Sequence, residues 1–196
     1  IGYTLVINED YAFSKGVEIN LEYDLKKMAT AKLSYTYSIA KGSASYADEQ
    51  YPGSIETTTL YNLDFDRTHG LNFYGSVRSG KHQGLKLLNI YPFQRADLGF
   101  VIQANSGTPY TPYARDIGLV EINSLRKPST YTIDMILGKR FALAGKISAR
   151  TFLEILNLTN ARNAIIIFTS SGEPDYSLVP GHSEEYLNNP SHFGPP

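Results

Sequence analysis

In residues 16–25, GVEINLEYDL, every second position is apolar: Val17, Ile19, Leu21, Tyr23 and Leu25 alternate with Glu18, Asn20, Glu22 and Asp24. A helix would scatter these two sets around its circumference, whereas an extended chain points successive side chains to opposite sides and sorts them. The segment therefore reads as a strand with one dry side and one wet side. KLSYTYSI repeats the pattern, setting Leu33, Tyr35, Tyr37 and Ile39 against Lys32, Ser34, Thr36 and Ser38. LNFYGSV continues it through Leu71, Phe73 and Val77. YTIDMILGKRF does so through Tyr131, Ile133, Met135, Leu137 and Phe141, with Asp134 and Arg140 opposite. Turn-forming residues bound seven expected strands, at 2–9, 16–26, 30–43, 70–79, 94–106, 129–142 and 147–159. Alternation breaks at Val101 and again over 156–158, where a bulge is expected to change the phase.

Length narrows the setting. Strands of soluble domains usually run to about 5–6 residues, while a tilted strand crossing a bilayer needs about 9–11, and several of these segments reach the longer range. One dry and one wet side suit either a soluble sheet packed on a core or a barrel wall between lipid and water. The connections favour the second. LKKMAT at 25–30 and ALAGK at 142–146 are tight, whereas 44–69, 107–128 and 160–190 are long and rich in Tyr, Pro, Asp, Glu and Ser. Short turns at one end and long loops at the other describe an outer-membrane barrel. Two connections break this rhythm: 8–15 is short where a long loop is expected, and 80–93 is long where a turn is expected. The latter carries Leu85, Leu87, Leu88, Ile90, Tyr91 and Phe93, too apolar for a free loop, and is expected to extend its neighbours or form a small packed insert.

Composition agrees with an all-β chain: 15 Tyr and 9 Phe accompany abundant Gly, Ser, Thr and Asn among 196 residues. A formal net charge of −1 supplies no field of one sign to attract nucleic acid, which is not expected as a partner. No apolar run approaches the roughly 20 residues of a spanning helix, which leaves a barrel open because its strands dilute the hydropathy signal. The absence of Cys removes disulfides, thiolate metal sites and cysteine nucleophiles together. The opening IGYTLVINED has no signal-peptide pattern, so either a signal was removed or the chain starts within a longer protein.

NEDYAFSKGVEINLEY followed by AKLSYTYSIAKG resembles the C-terminal part of the barrel of TonB-dependent outer-membrane receptors. LDFDRTHGLNF is similar to that family's Asp-x-Arg-His-x-Leu-Asn stretch, here through Asp66, Arg67, His69, Leu71 and Asn72. NSGTPYTP, RKPSTYTIDMILGKRF and FLEILNLTNARN look like the segments before the family's final strand, and NPSHFGPP like the lead-in to it. Each motif is loose, but their order extends over nearly the whole chain. Two departures stand out: the family closes on a strand with an aromatic terminal residue, whereas this chain stops at Pro195-Pro196, and no plug with a TonB-contacting box is present.

The resemblance implies an antiparallel meander forming a partial transmembrane β-barrel, about seven strands of a larger barrel. Residues 1–196 would be a C-terminal barrel segment incomplete at both ends. It further implies a nutrient receptor of the bacterial outer membrane that binds a scarce substrate at extracellular loops for TonB-energised uptake. Its partners would be outer-membrane lipid, the missing plug and remaining barrel, TonB only through that plug, and a small nutrient ligand. No cofactor and no enzymatic chemistry are implied. Two other classes compete: a soluble secreted β-sandwich binding carbohydrate through Tyr-rich loops, and a small complete barrel of structural or adhesive role, against which the missing final strand argues.

Residues able to carry chemistry are few. His69 beside Asp66 and Arg67 invites an acid/base reading, but a polar network where a long loop re-enters a strand explains the stretch equally well. His182, Glu184 and Glu185 in HSEEY have metal-ligand chemistry but lack a second anchored pair, and fit a solvated acidic loop better, so no metal is expected. NLTN matches a glycosylation sequon at Asn157 but falls in an expected strand. SGKHQG lacks phosphate-loop spacing. The loops carry Tyr46, Tyr51, Tyr61, Tyr110, Tyr113, Tyr176 and Tyr186, broad rigid surfaces with a polar tip. Those near strand ends suit an aromatic girdle, while loop-interior Tyr51, Tyr113 and Tyr176 are the ligand-binding candidates. Glu18, Glu22, Lys32, Asp134, Arg140 and Glu154 are expected on the lumen side, pairing with one another, meeting a plug or lining a substrate path.

Overall fold

A computed structural model describes residues 11–26, 28–45, 59–81, 91, 93–113, 121–143 and 147–179. The described chain is all-β. Its long strands are β1 (Ala12–Leu25), β2 (Ala29–Gly42), β4 (His69–Arg78), β5 (Ala96–Asn105), β8 (Thr130–Ala142) and β9 (Ser148–Ile155). Three two-residue strands lie in the longer connections: β3 (Tyr61–Asn62), β6 (Pro109–Tyr110) and β7 (Leu125–Arg126). The main sheet is an antiparallel meander in the order β1-β2-β4-β5-β8-β9, with β3 pairing beside β4 on β2, and β6 and β7 form a separate small ribbon. Sequential long strands pair throughout, across short connections between β1 and β2 and between β8 and β9, and across long ones between β2 and β4, β4 and β5, and β5 and β8. Between β1 and β2, Met28 N–H donates to Leu25 O at 2.7 Å.

Six of the seven expected strands are present, and the expected segment 2–9 lies outside the described residues. The first observed strand starts earlier than alternation indicates. Pairing with β2 runs unbroken from Leu25↔Ala29 to Ala12↔Gly42, so half of the apparent short connection at 8–15 is strand. No bulge occurs at Val101, since β5 keeps one register with both neighbours and simply places Val101 on the polar side opposite Tyr74 and Asp134. Nor is there a bulge over 156–158. The strand ends at Ile155 and the chain turns through Asn157 (φ 49°) and Asn160 (φ 51°), a conformation that Asn tolerates better than most residues. Most of the apolar connection at 80–93 lies outside the described residues.

Because directly opposed residues share a side, the register sorts whole rows. Leu21, Leu33, Phe73, Ile102 and Ile133 form one row across five strands, and Asn20, Ser34, Asn72, Gln103 and Thr132 form another on the reverse side. Domains normally bury the apolar side of a sheet against a second layer. Here Leu21 and Val77 are each 59% exposed and Leu153 55% exposed, so the apolar side has no cover among the described residues. The small core sits elsewhere, at the end where the long connections gather. Ala40, Tyr61, Leu63, Tyr110 and Ile167 are buried there.

Candidate functional site

Three long connections interlock at that end, and buried polar groups hold them. After β3, the segment 63–68 runs beside the upper part of β2 in place of β4. Asp66, 1% exposed, takes over the role of a ladder carbonyl: its Oδ1 accepts the Ala40 amide N–H at 2.6 Å. Its Oδ2 pairs with the Arg126 guanidinium, and Arg126 Nη1 also donates to Asp66 O at 3.3 Å and Gly107 O at 3.1 Å. A buried carboxylate is tolerable only when its lone pairs are occupied in this way. One cluster thus ties 61–68 to β7 and to Gly107 just ahead of β6.

Asn123, buried and at φ 53°, makes the second junction. Its side-chain amide donates to Asn62 O at 2.8 Å and to the Asp64 carboxylate, while its backbone N–H donates to Thr111 Oγ1 at 3.0 Å. The third connection joins through Tyr113 N–H donating to Thr169 O at 3.0 Å. Gly172 (φ +80°) lies against the Tyr110 hydroxyl with no room for a side chain. Burial, and then the charge on Glu173, raises the Tyr110 hydroxyl above its ordinary pKa. Between these parts lies an open cleft of about 490 Å³, whose lining includes Asp64, Tyr110, Thr111, Asn123, Lys127 and Ile165. It offers one carboxylate, one ammonium, hydroxyls and an amide beside an apolar wall, the mixture of a small-ligand site.

Of the tyrosines expected to bind ligand, Tyr113 (54% exposed) and Tyr176 (49% exposed) both belong to this loop assembly, and Tyr51 lies outside the described residues. Alternation does not single out Asp66, Asn123 or Arg126 as anchors. The Asp66–His69 stretch does not form an acid/base set. Asp66 is committed to Arg126 and Ala40, while His69 Nδ1 is 2.8 Å from the Tyr35 hydroxyl on the apolar side, where its ring stacks near Tyr35 and lies 5.4 Å from Tyr37. His182, Glu184 and Glu185 are outside the described residues, within which no group of three His, Asp or Glu side chains suits a metal. Asn157 lies in a turn and not in a strand. Its side chain bonds Ala161 through both amide atoms, at 3.1 and 2.8 Å.

Glu18, Glu22, Lys32, Asp134, Arg140 and Glu154 all share the polar side of the sheet. They do not form one network. Glu22 and Lys32 pair at 2.7 Å, and Glu18 accepts from Asn20 at 2.8 Å. Asp134 accepts the Asn157 amide N–H at 2.8 Å, bracing the turn after β9. Arg140 stands opposite Arg150, and Glu154 opposite Ile136. Between Glu22, Lys32, Asn72, Tyr74 and Gln103 the polar side forms a shallow trough of about 510 Å³.

The described chain is thus an all-β antiparallel meander with a single uncovered apolar side and a braced loop assembly at one end. Comparison with families of known proteins, with curated proteins and with solved structures gives no match.

Proposed function

We propose that this chain is a wall segment of an outer-membrane β-barrel receptor of the TonB-dependent kind, with the apolar side against lipid, the polar side toward a hydrated lumen, and the loop assembly capturing a small nutrient outside the cell. The observation that carries this reading is the apolar side itself. Strands of 14, 14, 10, 10 and 13 residues display it across a single layer, and a contiguous apolar surface of this kind is rare on a soluble monomer. In lipid the same surface needs no second layer, and 9–11 tilted residues suffice to cross. Tyr35, His69 and Tyr37 cluster on that side near the loop end, where an aromatic girdle meets the headgroups. A β-sandwich would require a second sheet over Leu21, Leu33, Phe73, Ile102 and Ile133, and none covers that row among the described residues.

The sequence contains no Trp, so a single introduced indole reports its own surroundings. Ile19→Trp and Asn20→Trp are neighbours on opposite sides of β1. In phospholipid vesicles the indole at 19 is expected to emit at short wavelength and to be quenched by brominated acyl chains, and that at 20 by aqueous acrylamide. Two indoles equally open to acrylamide, in chains retaining β-type circular dichroism, would refute a lipid-facing wall.

A further inference from the structure

We propose that the short-turn end of the polar side is a binding site for a small, multiply charged oxyanion. Four arginines from separate elements converge there: Arg78 at the end of β4, Arg95 just before β5, Arg140 in β8 and Arg150 in β9. Arg78, Arg95 and Arg140 line an open cleft of about 650 Å³ together with Asp97, Ser79 and Ser148. The register sets Arg78 directly opposite Asp97, and Arg140 directly opposite Arg150. Like charges so placed oppose strand pairing unless something neutralises them.

Asp97 is the acidic side chain lining the cleft, and it is already engaged. It reaches across β8 to Arg150, with Oδ2 to Nη2 at 2.7 Å. Gly138 permits this, because a Cβ there would overlap the carboxylate. The other two ion pairs among the described residues are Glu22–Lys32 and Asp66–Arg126, neither of them at this end. Arg78, Arg95 and Arg140 therefore have no described carboxylate partner, although the chain as a whole is nearly neutral with a net charge of −1.

The backbone holds the cluster together. Arg95, in the left-handed region at φ 53°, donates its N–H to Gly80 O at 3.1 Å and accepts the Arg140 amide N–H at 3.0 Å, fixing the approach to β5 against β8. A guanidinium presents parallel donors that match the paired oxygens of a carboxylate or phosphate. Several of them around a cleft of small-ligand size select an anion bearing more than one such group. This assignment stands on the polar side alone and does not depend on what covers the apolar side.

The test is calorimetric titration of the 196-residue chain in nonionic maltoside micelles with tripolyphosphate and, separately, with citrate. Saturable binding of either anion, weakened by added salt, is expected. Response to tripolyphosphate alone would mark a phosphate site, and to citrate alone a carboxylate site. The double variant R78Q/R140Q should weaken binding at least about tenfold, as for loss of a charge-assisted contact, while K15Q on the apolar side should leave it unchanged. D97N removes the competing carboxylate and should tighten binding severalfold, a gain that a misfolded chain cannot give. Absence of binding by both anions up to ~10 mM, unchanged affinity in R78Q/R140Q, or no gain in D97N would overturn the assignment.

Discussion

Asp66→Asn tests whether one buried carboxylate braces the loop assembly. The substitution keeps the shape and removes the charge, so Arg126 loses its ion pair and the Ala40 N–H faces a weaker, neutral acceptor. Breaking a fully buried pair by deleting one partner costs about 3–5 kcal/mol. That figure is too high here, because the Arg126 side chain is 31% exposed and can regain water. A hydrogen bond to a charged group contributes about 1.5–3 kcal/mol, and Arg126 keeps its contacts to the carbonyls of Asp66 and Gly107. We therefore expect local destabilisation of about 2–3 kcal/mol, equivalent to roughly 30- to 160-fold faster exchange at the Ala40 amide when reclosing is fast. Hydrogen exchange with mass-spectrometric readout measures this directly. Peptides from the middle of β4 and β5 should change little, since their ladders do not involve Asp66. Arg126→Met should have a similar effect, and the double variant should fall well short of the sum, because both changes remove the same interaction. Protection at Ala40 within about threefold of the unmodified protein would refute the role given to the carboxylate.

On the proposed lipid-facing wall, Leu21→Arg or Leu33→Arg, in the row at mid-height of the sheet, should disrupt membrane assembly by about 2–4 kcal/mol, while Ser34→Arg on the polar side should be milder. Heat-modifiable gel mobility reads this, and equal tolerance at all three positions would contradict the assignment of sides. Single cysteines at Tyr113 and Tyr176 should react with an impermeant maleimide on intact cells, and one at Lys26 in the β1–β2 turn should not; the reverse pattern would invert the topology. Tyr110 has a raised hydroxyl pKa, so the unfolded chain releases this proton first as pH rises. Its contribution to loop stability should be complete below the ordinary value of about 10 and lost as pH rises through the higher folded value. Alkaline unfolding followed by near-ultraviolet circular dichroism should show this loss, and Tyr110→Phe should abolish it.

Strand identity and sidedness were legible because the signal is local. Side chains along an extended chain alternate with a period of two, so Val17 to Leu25 and Tyr131 to Phe141 declare their dry side without reference to any partner. The same locality explains the errors. Val101 looks like a fault in the pattern only when β5 is considered alone; its register with β4 and β8 is continuous, and an apolar residue simply occupies the polar side. At 156–158 the apolar run suggested more strand, but the turn through Asn157 is set by bonds to Asp134 and Ala161.

By itself, the sequence determined an all-β chain of long two-sided strands. The tertiary structure decided which distant side chains meet. Asp66 and Arg126 are 60 positions apart, and Asp97 and Arg150 are 53 apart. Their pairing follows from strand register and from how the loops fold back, and neither leaves a periodic trace. Asp66 reads in sequence as a neighbour of His69, yet backbone geometry turns its carboxylate toward β2 and Arg126 of β7. Alternation places Arg140 on the polar side, but only the alignment of β4, β5, β8 and β9 gathers it with Arg78, Arg95 and Arg150. A one-residue slip of β4, β8 or β9 would send Arg78, Arg140 or Arg150 to the other side, which is why the cluster is a property of the register and not of the residues alone.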